Sequence, residues 1–299
     1  MFQDVYTAII TPFQNGKVDE KKLEELVSCQ IEAGVKGVVP CGSTGEYLFL
    51  TPEEKIRIIE ICANLCKGKA QVIAGTGAVS TEETIFQTQR AQKAGATAAL
   101  IITPWYVRPS QEGLYLHYKK ISQNVELPII IYNNPARTAV DMSLETLLRL
   151  MECPAIQGYK DSSSNFVMIS ELKQQLGDRL SLLAGNDEPL AAFLAMGGDG
   201  GILPVANVAP THFVELMDSW RMGDLSAFKA QWKKVFPLLI ALTLERNPAP
   251  LKYAMTLVYG VSPENRLPYA PLQESTKKAI EDALENLGLW MPPASERLR

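Results

Sequence analysis

The sequence has 299 residues, of which 46% are hydrophobic and 21% charged, and its formal net charge is −4 at pH 7. This length and balance are typical of one globular α/β barrel. The acidic character argues against nucleic acid or an anionic membrane surface as a partner. The chain shows no secretory signal pattern and no apolar run of about 18 residues, so no membrane span is predicted.

The five cysteines are scattered and odd in number, which favours reduced, structural thiols over a disulfide framework. His117 and His212 are the two histidines of the sequence, so a histidine-based metal site is not expected. We therefore expect a cytoplasmic protein that uses no metal ion.

Short apolar runs alternate with longer amphipathic segments along most of the chain. Each short run is almost continuously apolar, which is typical of parallel strands that are covered by helices. Eight strands are predicted in this way, at residues 5–10, 37–41, 70–75, 98–103, 127–132, 156–160, 180–184 and 201–205.

The segments between these runs have the apolar spacing of helices, for example at residues 19–33, 52–66 and 81–94. Strand–helix units that recur roughly every 25–30 residues predict a (β/α)8 TIM barrel. No Gly-x-Gly-x-x-Gly follows the first strand, which disfavours a dinucleotide fold. We expect the barrel to span residues 1–223, and residues 224–299 to add C-terminal helices that pack on it as one structural unit.

In barrels of this type, catalytic groups lie at the carboxyl ends of the strands. Residues 42–46 follow the second strand, and their backbone N–H groups and two hydroxyls suit a carboxylate-binding nest or an ordinary glycine turn equally. Tyr132 ends the fifth strand, and Arg137 beyond it offers a planar fork for a carboxylate. A polar turn with a surface arginine is the alternative there.

Lys160 ends the sixth strand, where an unpaired ammonium would be costly to bury. Burial lowers the pKa of such a lysine, and the neutral amine is then a nucleophile toward ketones. The alternative is a lysine that pairs with Asp161 or extends to solvent. Tyr106, in an aromatic loop after the fourth strand, is a weaker candidate, because such loops more often pack a lid or an interface.

Four motifs together resemble the dihydrodipicolinate synthase and N-acetylneuraminate lyase superfamily, and the resemblance runs from residue 7 to about 272. They are Gly-Ser-Thr-Gly-Glu at 42–46, Thr-Pro-Trp-Tyr at 103–106, Tyr-Asn-Asn-Pro at 132–135 and Tyr-Lys-Asp at 159–161. The resemblance implies a TIM barrel, usually assembled as a tetramer of two tight dimers. It also implies a Schiff base between Lys160 and the ketone of pyruvate, with no organic cofactor.

By the same resemblance, Tyr132 and Thr44 relay protons together with Tyr106, which would come from the neighbouring chain of a dimer. Ser43 and Thr44 would hold the carboxylate of pyruvate. The backbone around Gly185 and around Ile202 would face the same pocket, on weaker local matches.

Arg137 resembles the synthase branch, in which this arginine holds the carboxylate of aspartate semialdehyde. The expected product is 4-hydroxy-tetrahydrodipicolinate, an intermediate of lysine and diaminopimelate biosynthesis. Asp161, Ser162 and Ser163 instead resemble the aldolases that act on 2-keto-3-deoxy sugar acids or on N-acetylneuraminate, which remain the alternative. A non-catalytic barrel that binds a keto acid is a rival of another class.

Lysine often inhibits synthases of this family at the dimer interface, so the matching positions matter. Where sensitive members carry an asparagine, this chain has Val79, and where they often carry histidines it has Pro52 and Lys55. Glu83 remains. We expect inhibition by lysine to be weak or absent.

Overall fold

The computed structural model describes residues 2–291 and contains the predicted barrel. All eight predicted strands are found, each paired in parallel with its neighbour in the chain, and β8 closes on β1. The observed strands are β1 Asp4–Thr7, β2 Gly37–Val38, β3 Gln71–Gly75, β4 Ala98–Ile102, β5 Ile129–Asn133, β6 Ile156–Asp161, β7 Ser181–Ala184 and β8 Gly200–Leu203.

Helices follow the strands and cover the outside of the barrel. Pro52–Cys66 has the predicted bounds, and Thr51 and Glu54 form the predicted capping box at its start. Within residues 2–291 the helices are α1 Glu20–Ala33, α2 Pro52–Cys66, α3 Thr81–Lys93, α4 Gln111–Ser122, α5 Pro135–Thr138, α6 Leu144–Leu150, α7 Phe166–Leu176, α8 Leu190–Ala195, α9 Pro210–Arg221, α10 Leu225–Ala241, α11 Ala249–Tyr259 and α12 Glu274–Asn286.

The fold buries two separate apolar clusters. A large cluster lies between the strands and the helices. A smaller one fills the inside of the barrel and includes Tyr6, Val39, Leu100, Tyr132 and Ile202. The inside of the barrel is therefore a packed core and not a pore.

A short antiparallel hairpin between β1 and α1 was not predicted. It pairs Phe13–Gln14 with Lys17–Val18, and both turn residues, Asn15 and Gly16, have positive φ. Asn-Gly is the pair that this tight turn favours, so the signal was present in the sequence. The Gly16 amide donates to Glu264 at 2.8 Å, so the hairpin contacts the C-terminal region.

The C-terminal helices pack on the barrel side, where α10 lies against α9 and α12. Arg266, in the segment after α11, donates from Nη2 to Glu54 at 2.6 Å and to the Gly16 carbonyl at 3.0 Å. The division at residues 223 and 224 stays a prediction, and residues 292–299 lie outside the described residues.

Candidate active site

Lys160 lies at the mouth of the barrel and is 5% exposed. The strand register places it beside Tyr132, with its amine 4.2 Å from the centre of the Tyr132 ring. Among residues 2–291, no hydrogen bond or ion pair reaches this amine. Because Lys160 is buried, the alternative in which its side chain extends to solvent is wrong.

Asp161 turns away from Lys160, toward the layer between strands and helices. Its Oδ1 accepts from Asn133 Nδ2 at 3.1 Å and from the Tyr159 hydroxyl at 3.1 Å. Its Oδ2 accepts from the Ser163 hydroxyl at 2.8 Å. The alternative in which Asp161 pairs with Lys160 is therefore wrong as well, because successive strand residues point to opposite faces.

Burial favours the neutral form of Lys160. Burial lowers the pKa of its amine, and the nearby charge of Arg137 lowers it further, although Tyr132 and Asp187 act in the opposite direction. A lysine with a lowered pKa has a larger neutral fraction at physiological pH, which is the form that attacks a carbonyl carbon.

The pKa of the Tyr132 hydroxyl is lowered as well. Burial raises the pKa of its hydroxyl, but the charge of Lys160 and hydrogen bonding outweigh burial, so the pKa lies below its ordinary value. Asn134 Nδ2 donates to this hydroxyl at 2.7 Å, and Asn134 Oδ1 caps α5 by accepting from the Arg137 amide. One side chain thus orients Tyr132 and the start of the segment that carries Arg137, a role that the sequence analysis missed.

Seven of the eight predicted site residues line one cavity of about 980 Å³ at the mouth of the barrel: Ser43, Thr44, Tyr132, Arg137, Lys160, Gly185 and Ile202. Tyr106 does not. Its side chain is 91% exposed, and its φ of 70° places it in the left-handed region.

The loop after β2 has an unusual backbone. Cys41 and Glu46 have φ values of 58° and 55°, and the Thr11 hydroxyl donates to the Gly45 carbonyl at 2.7 Å. Thr44 is buried, and its hydroxyl accepts from Asn247 Nδ2 at 3.1 Å. The loop is therefore held in one shape from both sides, as a binding nest requires.

Gly185 needs to be glycine for lack of space. A Cβ there would lie 2.1 Å from Ser162 Oγ and 2.7 Å from the Asp161 carbonyl. Its amide donates to that carbonyl at 2.7 Å. Glycine at this position therefore lets the backbone after β7 pack closely against the end of β6.

Asp187, in the loop after β7, was also missed. It lines the cavity, and its carboxyl group accepts from the Val205 amide at 3.3 Å. Burial raises its pKa to about 8, and the neighbouring Glu188 adds to the rise. The strand-end rule could have found it, because Asp187 follows a predicted strand just as Arg137 does.

The C-terminal region supplies the far wall of the cavity, through residues 242–247, Ala249, Leu251 and residues 268–270. The Asn247 carbonyl accepts a long hydrogen bond, 3.5 Å, from Arg137 Nη2. Neither periodicity nor the strand-end rule placed Asn247 in the site, because its contacts there are with residues 203 and 110 positions away.

Two features are absent from residues 2–291. No group of three or more His, Cys, Asp or Glu side chains is placed to hold a metal ion. No helix has both the length and the apolarity that crossing a membrane requires.

Fold and site together define a (β/α)8 barrel that carries a desolvated lysine and a tyrosine at its mouth. Comparison with known proteins agrees: the dihydrodipicolinate synthetase family matches residues 1–287. The chain belongs to this family and is an enzyme.

A curated relative from Rhodospirillum centenum, a 4-hydroxy-tetrahydrodipicolinate synthase, is 44% identical over 97% of this chain and 99% of its own. The dihydrodipicolinate synthase structure from Thermotoga maritima superposes with a TM-score of 0.94 at 38% identity, covering 97% of this chain and 99% of that one. A monomeric dihydrodipicolinate synthase variant gives a TM-score of 0.94 at 37% identity, over 96% and 97% of the two chains. These findings confirm the predicted family, fold and synthase-type activity.

Proposed function

We propose that this enzyme condenses pyruvate with L-aspartate 4-semialdehyde to give 4-hydroxy-tetrahydrodipicolinate, in the cytoplasm. The observation that carries the proposal is the buried amine of Lys160, which lies 4.2 Å from the Tyr132 ring and has no carboxylate partner within residues 2–291. The curated relatives that cover nearly the whole chain carry the name of this synthase.

The first half of the proposed reaction activates pyruvate. The neutral amine of Lys160 attacks the ketone carbon, and loss of water gives an iminium ion that acts as an electron sink. Loss of a proton from the methyl group then gives an enamine. Tyr132, with its lowered pKa, Thr44 and Tyr106 move protons in these steps. The iminium supplies the electron sink, so the chemistry needs no metal or organic cofactor.

In the second half, the enamine carbon attacks the aldehyde of aspartate semialdehyde and forms the new C–C bond. The amino group of the acceptor then attacks the iminium carbon, which closes the ring and releases the amine of Lys160. The same hydroxyl groups return the protons. Lys160 ends the cycle as a free amine.

Two anion sites in the cavity hold the substrates in this proposal. Ser43, Thr44 and the amides of residues 42–46 bind the carboxylate of pyruvate, with the backbone at Gly185 and at Ile202 close by. Arg137 binds the carboxylate of the acceptor as a planar fork. Its weak contact with the Asn247 carbonyl leaves the guanidinium free to do so.

Tyr106 enters the site only from a second copy of the chain in this proposal. In support, a slot of about 350 Å³ is lined by Ser43, Tyr47, Trp105 and Arg137 at the edge of the main cavity. Tyr106 and Val107 are both exposed, so their side chains are available for contact with a partner chain.

A second association of dimers would give the proposed homotetramer. Val167 is 71% exposed and Met196 is 40% exposed. They lie on α7 and just after α8, two helices that pack against each other. Isolated exposed apolar residues are ordinary, so analytical ultracentrifugation is needed to test whether the protein is a tetramer.

The same measurement tests the role given to Tyr106. A monomer that keeps full activity would contradict that role.

The test of the function is a condensation assay with pyruvate and aspartate semialdehyde, coupled to the downstream reductase. Lys160→Ala should abolish turnover, and Arg137→Ala should raise the KM for the semialdehyde, since a charged bidentate contact contributes about 1.5–3 kcal/mol.

Sugar-acid aldolase activity is the outcome that would overturn the proposal. The protein would then form the pyruvate adduct but turn over 2-keto-3-deoxy sugar acids or N-acetylneuraminate instead. Of the three residues that suggested this alternative, Asp161 points out of the cavity, whereas Ser162 lines it. Assays with both classes of substrate therefore decide between the two functions. A protein without any pyruvate adduct would be the non-catalytic barrel.

A further inference from the structure

Glu46 and Lys252 form an ion pair in which both side chains are 0% exposed. The other ion pairs within residues 2–291 reach solvent. Lys252 lies on α11, and Glu46 ends the loop that carries Ser43 and Thr44. The pair thus joins the C-terminal region to the loop that lines the cavity.

The surroundings satisfy both charges. The amine of Lys252 donates to the Glu264 carbonyl at 2.8 Å and lies 4.2 Å from the centre of the Phe13 ring. Glu46 Oε2 accepts from the Arg266 amide at 3.0 Å. A buried ion pair is favourable only when its remaining hydrogen-bonding groups are occupied in this way.

The backbone of Glu46 also needs support. Its φ of 55° is rare for a residue other than glycine, and such a conformation costs about 1–3 kcal/mol unless neighbouring contacts hold it. The ion pair with Lys252 and the hydrogen bond from Arg266 are those contacts. Five residues before Lys252, Asn247 holds Thr44 in the same loop.

We propose that Glu46 and Lys252 are positioning residues for the bound keto acid. The pair fixes the loop of residues 42–46 so that its amides and hydroxyls converge on a carboxylate. It also neutralises Glu46, whose charge would otherwise repel that carboxylate. This inference rests on the proposed function, because the ligand is taken to be pyruvate.

The experiment compares Lys252→Met, Lys252→Arg and the double variant Glu46→Gln/Lys252→Met with the parent enzyme. The Schiff base is trapped with borohydride at increasing pyruvate concentrations, and the modified fraction is read by mass spectrometry. Steady-state kcat and KM for both substrates are measured alongside. Lys278→Met, which breaks an exposed pair with Asp282 on α12, is the matched control.

The positioning role predicts that Lys252→Met raises the pyruvate concentration for half-maximal trapping about tenfold. The saturating yield of adduct should be kept, and the KM for the semialdehyde should change less. Lys252→Arg should recover most of the lost affinity, and Lys278→Met should behave as the parent. The double variant, which leaves no unpaired charge, should fold even where the single one does not and should still show the weaker dependence on pyruvate.

A folded single or double variant with the parent's pyruvate dependence would overturn the inference. So would an equal loss for both substrates, which would mark a merely structural role. If the parent enzyme itself forms no adduct, the proposed function falls, and this inference falls with it. That result is distinct from an adduct whose pyruvate dependence the variants leave unchanged.

Discussion

Two regions of this enzyme bury a lysine, and they do so in contrasting ways. At the barrel mouth and at the start of α11, a lysine amine lies 4.2 Å from the centre of an aromatic ring. Burial lowers the pKa of both amines. Lys252 has a carboxylate partner in Glu46, whereas Lys160 has none within residues 2–291. The difference teaches that the absence of a counter-ion, more than burial itself, distinguishes the candidate nucleophile from a structural lysine.

The rings beneath the two amines differ by one hydroxyl, and removing it should have the largest effect. Tyr132→Phe makes the surroundings of Lys160 resemble those of Lys252. The loss of a proton-transfer group should lower kcat by about 10²–10⁴-fold. The steady-state condensation assay with both substrates measures it. Phe13→Leu is the control, since it should change stability and leave kcat near the parent value.

The next largest effect should come from breaking the paired lysine. Lys252→Met leaves Glu46 buried without a partner, which should lower the free energy of unfolding by about 3–5 kcal/mol. Urea denaturation followed by circular dichroism measures the change. The double variant Glu46→Gln/Lys252→Met should recover most of the loss. A single variant as stable as the parent would contradict the account of this pair.

The unpaired lysine should also control the pH dependence of adduct formation. Because the reactive form of Lys160 is the neutral amine, the initial trapping rate should fall up to tenfold for each pH unit below its pKa. This pKa lies below the ordinary value of 10.5, so the fall begins at a lower pH than for a free lysine. Borohydride trapping at a series of pH values tests this, and a rate independent of pH would contradict it.

Replacing the unpaired lysine should raise the free energy of unfolding, whereas Lys252→Met should lower it. With the folded pKa lowered, the unfolded chain binds more protons between that pKa and 10.5, so the parent's stability rises with pH there. Below this pH range the folded protein must hold a charged, buried amine, and Lys160→Met removes that destabilisation. The variant should gain about 0.5–2 kcal/mol in free energy of unfolding at neutral pH. Thermal unfolding at several pH values shows whether the gain shrinks as pH rises.

The smallest effect is expected from free lysine as an added ligand. Its ammonium would need a carboxylate partner of the kind that Lys252 has, but Glu83 already accepts from Gln87 at 2.6 Å. Lys55, 5.6 Å from the centre of the Tyr47 ring, adds a repelling charge. Turnover at millimolar lysine should stay near the uninhibited rate. Tight inhibition at low lysine would refute this prediction.

The sequence predicted site residues where a polar or charged residue stands in or next to an apolar strand. Lys160 stood out because a lysine is unusual at the end of an apolar strand, and the strand-end rule brought Tyr132 and Arg137 to the same cavity. The apolar runs located all eight strands, although several end earlier than predicted. At the carboxyl end of these strands the apolar run continues into the following loop. The apolar pattern therefore does not mark the residue at which the strand ends.

Other parts of the site depend on contacts between distant segments. A lysine in a helix such as α11 is ordinarily exposed, so Lys252 gave no sign of its burial. Asn247 reaches Thr44 across 203 positions of sequence, and no periodicity indicates such a pair. The role of Tyr106 depends on a second copy of the chain, which was inferred only from resemblance.

The junction between residues 42–54 and the segment 247–266 has a consequence for synthesis. During translation the amino-terminal strands leave the ribosome first, yet Glu46 has no counter-ion until residue 252 has emerged. The loop that carries Ser43 and Thr44 can take its final shape only after most of the polypeptide has been made. A ribosome-bound chain that ends before α11 should therefore lack activity even if its Lys160 is already in place.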